Sequence, residues 1–252
     1  MNRLASMAIA LCVLSGAGWT ARDYAGIAGV KRQAQGGAAT NTWDDYSHYW
    51  HPGKYTNGMD YGNAATKLNA TNISGTVTIS SRGWTFPTTG NNGITLPSAI
   101  SNSTAYSFAF WAASPGYGST GGWVLSDRSN TSTESDFQIV IAASGWVPGL
   151  FNTAGTFYEA AKASPGTNWQ HIVVAAGSSN VTLYIDGTAA TNFAYAGTLR
   201  NASTRTRIGN YSWDTGVLNA FGYRGDLDKL QFWNRKLTAT EAAGLAAQSR
   251  TE

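Results

Sequence analysis

Glu134-Ser-Asp136-Phe-Gln138 spaces two acids and an amide two residues apart. On a β-strand that spacing sends alternate side chains to one face. Two carboxyl groups about 5–5.5 Å apart on such a face are the nucleophile and acid/base of a retaining glycoside hydrolase. Here the last position is Gln138, and glutamine cannot donate and recover a proton. The acid/base role has no occupant, so glycosidase chemistry is only a minor alternative for this stretch.

Oxygen donors form a second set. Asp127, Asn130 and Asp136, with Asn210 and Asp214 farther on, are ligands of the kind Ca²⁺ takes six to eight at a time. Their spacing follows no fixed loop motif, and Asp and Asn are also common turn formers. Calcium is therefore the candidate cofactor on those five residues, with turn formation as the competing reading. His48 and His51, just after Asp44 and Asp45, would suit zinc or nickel. The tight four-ligand spacing of a metal site is missing, and the aromatic residues around them favour a packing role.

A third set is aromatic. Tyr117, Trp123, Trp146, Tyr211 and Trp213 fall in or beside expected loops, among Asn, Asp and Gly. An aromatic face takes the C–H face of a sugar ring, and nearby polar groups take its hydroxyls. These five are the candidate glycan-binding residues, although tryptophan is usually well buried and about half of them are expected in the core.

The elements that must position these groups read as strands. TVTIS (76–80), GITLP (93–97), YSFAFWAA (106–113), GWVLSD (122–127), DFQIVIAA (136–143), HIVVAAG (171–177) and VTLYIDG (181–187) alternate or run apolar between turn residues, followed by TRTRIG (204–209) and a strand within 221–235. Val181, Leu183 and Ile185 share one face of their strand. Asp186-Gly187 then reverses the chain, because both residues tolerate positive φ. Near the end, Thr238 and Glu241 are spaced as a capping box ahead of a short alanine-rich helix. No 20–50-residue repeat is present, which disfavours a propeller. The fold class is all-β: an antiparallel two-sheet jelly-roll sandwich with a short C-terminal helix and an extended N-terminal arm.

Composition agrees. The chain has 252 residues, 29 of them Gly and 10 Trp, with 12% charged, enough for one sizeable core. A formal charge of +3 from 17 basic and 14 acidic residues is scattered. Its densest group, Arg200, Arg205 and Arg207, reads as a solvated strand edge, so nucleic-acid binding is not expected. Residues 1–17 hold Arg3, an apolar run from Leu4 to Leu14, and small residues Ser15 and Ala17. That pattern reads as a secretory signal peptide, or else a retained apolar segment, and it is too short for a transmembrane span. Cys12, the single cysteine, lies inside it, so no intramolecular disulfide is expected. Residues 18–74 read as a flexible arm carrying an aromatic-rich docking segment, WDDYSHYWHPGKY. Seven Asn-x-Ser/Thr sequons are scattered along the chain, as so Asn- and Thr-rich a composition gives by chance.

An ordered series of segments carries a family likeness: Trp169-Gln-His171-Ile-Val-Val, then Val181-Thr-Leu-Tyr-Ile-Asp186-Gly187, then Arg207-Ile-Gly209, then Gly225-Asp-Leu-Asp228-Lys-Leu-Gln-Phe-Trp233-Asn234-Arg235, closing on Thr238 and Glu241. Together they resemble a laminin-G-like jelly roll of the concanavalin A-like lectin and glucanase superfamily, over about residues 75–248. Ala105-Tyr-Ser-Phe-Ala-Phe-Trp111 is similar to its first inner strand. The resemblance implies two curved antiparallel sheets, with ligand sites on the concave face or loop rim, and makes Trp169 and His171 framework residues. It does not imply a reaction.

Taken together, the sequence leads to a non-catalytic, secreted or cell-surface module that binds a glycan or cell-surface polymer. The alternative is a structural subunit of a virion, filament or extracellular matrix, assembling or forming a homo-oligomer through residues 18–74.

Overall fold

The structure is a computed structural model and describes residues 45–55, 58–65, 67–70, 72–88, 91–100, 105–113, 122–128, 135–142, 145–160, 168–201, 205–210 and 222–250. These belong to one compact unit, Thr42–Glu252.

Among the described residues, fifteen strands make two antiparallel sheets. Sheet A joins β13 (Thr188–Ala194), β12 (Asn180–Ile185), β11 (Gln170–Ala176), β6 (Tyr106–Ala113), β15 (Gly225–Trp233), β4 (Gly83–Phe86) and β3 (Thr78–Ser80), with β1 (His48–Trp50) also on β15. Sheet B runs β10 (Phe157–Glu159), β9 (Gly145–Phe151), β8 (Ser135–Ala142), β7 (Gly122–Arg128), β14 (Arg205–Ile208), β5 (Gly93–Thr95), β2 (Asn72–Ser74). Two helices are described: α1 (Pro52–Tyr55) and α2 (Ala239–Ala246). The all-β two-sheet sandwich with a C-terminal helix is the architecture the patterning predicts.

The core lies between the sheets. Phe108 of sheet A packs on Phe137 of sheet B with ring centroids 4.5 Å apart, and Ile172, Val174, Ile139 and Ile141 extend the same cluster. A second cluster covers the other face of sheet A, where Val173, Ala175, Ala109 and Trp233 meet Leu237, Ala242 and Leu245 at α2. Both faces of β11 are therefore buried, which is why its sequence runs apolar without alternating. α2 begins at the expected capping box: Thr238 Oγ1 accepts from Glu241 N at 3.2 Å, and Glu241 Oε2 accepts from Thr238 N at 2.8 Å.

Asp186 (φ 49°) and Gly187 (φ 78°) turn β12 into β13. A side chain at Gly187 would meet strained backbone and the Ala243 Cα at 2.9 Å. Gly187→Val is expected to cost about 1–3 kcal/mol. Ser179→Ala, at the exposed turn between β11 and β12, should cost little; equal melting temperatures for the two variants would contradict this account of the turn.

Three features depart from the sequence reading. First, the segment read as arm enters the sandwich: β1 pairs β15 and β2 pairs β5. Second, β4, β9, β10 and β13 were not expected as strands. Third, β14 is an interior strand of sheet B, between β7 and β5, so the arginine group is not a solvated edge; Arg207 is buried, although Arg205 is exposed.

The early segment is tied down by polar groups. Asp60 accepts from His48 Nδ1 at 2.6 Å and from the backbone N–H groups of Tyr49, Gly62 and Leu68 at 3.0, 2.8 and 2.9 Å. Burial pushes its carboxyl up, but those four bonds outweigh it and hold the group below its usual range. Asp228 fixes the other side, accepting from Gly53 N at 2.9 Å and Arg250 Nη1 at 3.0 Å. His51 donates its Nε2 to the Arg250 carbonyl at 3.0 Å. The Arg250 guanidinium lies 4.2 Å from the centroid of the Trp169 ring.

Candidate functional site

The strand that invites a hydrolase reading is β8, and its geometry departs from the expected alternation. The ladder to β7 steps from the Arg128–Ser135 pair directly to the Asp127–Phe137 pair. Asp136 is thus the extra residue of a bulge, and period two no longer puts it on one face with Gln138. Glu134 lies outside the described residues. Asp136 is 1% exposed, and its Oδ1 is 3.5 Å from Arg200 Nε. Together with burial and Tyr195, Asp136 and Asp127 push the buried Tyr106 hydroxyl up. These carboxylates therefore sit in protein surroundings rather than across an open cleft.

Beyond the bulge the alternation is regular. Phe137, Ile139 and Ile141 face the core, so Gln138 and Val140 face away from it. The register extends that outer face across the sheet. Gln138 is level with Ser126 on β7, Ser126 with Arg207 on β14, and Arg207 with Thr95 on β5. In the other direction Gln138 is level with Gly149 on β9, and Gly149 with Glu159 on β10. A transverse row, Thr95-Arg207-Ser126-Gln138-Gly149-Glu159, crosses the sheet with no large apolar side chain. Its middle is covered: Ser126 is buried and donates its Oγ to the Asn210 carbonyl at 3.1 Å. It opens toward β10, where Glu159 is exposed.

Two aromatic positions border the row on the same face. Trp123, half-buried, is level with Val140. Phe157 is level with Phe151 on β9; their rings lie 4.7 Å apart at 34°. Sequence reading missed Phe151, Phe157, Gly149 and Glu159. The available signal was the Asn152–Thr156 turn between two phenylalanines, where Asn152 Oδ1 accepts from Thr156 N at 2.8 Å.

The remaining candidates divide. Trp146 is 1% exposed within the core and donates its indole N–H to Gln170 Oε1 at 3.2 Å. It offers no face to a sugar. Tyr117, Tyr211 and Trp213, with Asn130 and Asp214, lie outside the described residues. Asn210 is buried and donates its side-chain amide to the Asn92 carbonyl at 2.7 Å. Among the described residues no group of three His, Cys, Asp or Glu is arranged to hold a metal ion. The gap among Trp84, Phe110, Val124, Leu125, Ile208, Leu227 and Leu230 measures about 10 Å³, room for one water at most. A saccharide has no room there.

A family model for the concanavalin A-like lectin/glucanases superfamily, of laminin G type, matches residues 88–243. The chain belongs to this superfamily. Comparison with curated proteins gave no match. Among solved structures, domain 4 of AbnA, a GH43 extracellular arabinanase from Geobacillus stearothermophilus, in complex with arabinotriose, is similar with a TM-score of 0.61 at 16% identity, covering 80% of this chain and 98% of that one. The botulinum neurotoxin serotype G binding domain gives 0.60 at 14% identity, covering 80% of this chain and 50% of that one. The binding domain of Paraclostridial Mosquitocidal Protein 1 gives 0.57 at 15%, over 81% and 52%. This laminin G-like chain thus spans about half of each toxin domain. At such identities the likeness is one of fold.

Proposed function

We propose that this laminin G-like domain is a non-catalytic binding module, exported or surface-displayed, that recognises a glycan on the outer face of sheet B and the adjoining loop rim. The observation that carries the reading is the pairing, on one face, of aromatic side chains at Trp123 and Phe157 with the polar row through Gln138 and Glu159. Aromatic faces and fixed polar groups together are what sugar rings require. Tyr117, Tyr211 and Trp213, which lie outside the described residues, belong to the same proposed set by residue type alone. Hydrolysis is disfavoured because Gln138 cannot serve as an acid and Asp136 is displaced into a bulge beside Arg200. The fold likeness to an arabinanase domain solved with arabinotriose and to toxin binding domains supports a binding role. Among the described residues, no helix is long and apolar enough to cross a membrane.

The test is a glycan array and polysaccharide pull-down with and without Ca²⁺, with reducing-sugar release measured on every retained polymer. Retention of at least one glycan without sugar release is expected. Calcium dependence would show that a cation takes part in binding. Failure to retain any glycan in either condition would overturn the reading.

A further inference from the structure

Phe157 is one of two large apolar side chains that stand exposed among the described residues, and its setting is unlike that of an incidental surface phenylalanine. It is 36% exposed. A Cβ built on Gly149 would lie 2.8 Å from Phe157 Cε2 and Cζ, and 3.1 Å from Gln138 Cγ. The ring therefore rests where any other residue at position 149 would put its side chain, over the bare backbone of β9. Phe151 packs against it on one side, and Gln138, 9% exposed, is level with Gly149 on the neighbouring β8. Gln138 and Glu159 flank Gly149 in the same row of the same face.

This is a seated ring bordered by an amide, which both donates and accepts, and by a carboxylate, which accepts. The arrangement suits a sugar residue: its C–H face on the ring, its hydroxyls on the amide and carboxylate. It suits a protein anchor poorly, since the centres of protein interfaces are depleted of charge. Glu159 also sets the sign. An acidic sugar would bring a second carboxylate toward the first, and like-charge juxtaposition excludes wrong partners. Arg200, the nearby cation whose backbone N–H donates to the Phe151 carbonyl, already faces Asp136.

Resting on the glycan-binding reading, we infer that Phe157, Gln138 and Glu159, seated on Gly149, form a subsite for a neutral sugar residue and discriminate against uronate-bearing chains.

Isothermal titration calorimetry of the full chain tests this with arabino-, xylo-, gluco- and galacto-oligosaccharides and with oligogalacturonate. Phe157→Ala should weaken the best neutral ligand roughly three- to tenfold, the range of an aromatic contact, while Phe157→Trp retains it. Gln138→Ala should weaken the same ligand. Glu159→Gln should narrow the gap between neutral and uronate ligands. Neutral-ligand binding that is unchanged in both Phe157→Ala and Gln138→Ala would overturn the subsite and leave the general reading standing. Tighter binding of oligogalacturonate than of any neutral chain would overturn the selectivity. A wild type that binds no saccharide would overturn both.

Discussion

Lowering the pH from 7 to 5 is expected to remove about 4 kcal/mol of folding stability, mainly through two histidines held uncharged in the fold. Burial, then Lys229, lowers His51 to about 3; the bond to the Arg250 carbonyl opposes this, and Lys54 and Arg250 add to it. Burial and Lys229 likewise lower His171 to about 3. Unfolded imidazoles titrate near 6.5. Below that pH the unfolded chain therefore takes up protons that the folded chain refuses. The stability tied to each histidine is fully present above about pH 6.5 and is lost as pH falls toward 3, at about 1.4 kcal/mol per pH unit.

Other groups act farther down the scale. Asp60 and Glu241 are held below their usual range, so their contributions disappear only under stronger acid. Asp228 is raised, chiefly by burial, and opposes the loss at the acid end. Urea unfolding at pH 7, 6 and 5 measures the slope. His51→Gln and His171→Gln should each remove about half of it, whatever they do to stability at pH 7. Stability that does not change between pH 7 and 5 would contradict the neutral, buried placement of both rings.

Asp60→Ala is expected to cost about 3–5 kcal/mol, the range for removing one partner from a buried charged cluster. Its carboxylate collects His48 and three backbone N–H groups, and alanine would leave these donors without an acceptor. The loop they hold covers Trp50, which is fully buried and donates its indole N–H to the Leu68 carbonyl at 2.9 Å. For a domain of this size that loss lowers the melting temperature by roughly 6–20 °C. Asp60→Asn, which keeps one acceptor oxygen, should fall less. A melting temperature unchanged by Asp60→Ala would show that the segment from β1 to residue 70 is not integral to the fold.

Legibility in the sequence followed the range of the determining contacts. β6 was readable from residue 106 to 113 because its pattern is local. The capping box of α2 and the Asp186-Gly187 turn were readable because their geometry spans only a few residues. β9 was not, since Gly145, Pro148 and Gly149 argue locally against a strand, and only pairing with β8 overrides them. β13 is mostly exposed, so it shows no apolar face.

The candidate site was legible in kind more than in place. Aromatic residues beside polar ones pointed to a sugar. Yet Trp146 belongs to the core, and the row from Thr95 to Glu159 exists only once six strands are in register. The Phe157 ring rests over β9 only because Gly149, on the neighbouring strand, lacks a side chain. The alternation of Glu134, Asp136 and Gln138 suggested a catalytic face, and a single bulge at Asp136, set by pairing with β7, breaks it.

Native mass spectrometry over time, on the full chain mixed with the saccharide that the array retains best, bears most directly on the central claim. The account predicts a complex whose added mass is that of the intact oligosaccharide, unchanged after hours and free of shorter products, and diminished in Phe157→Ala. Steady conversion of the ligand to shorter saccharides by the wild type would contradict it.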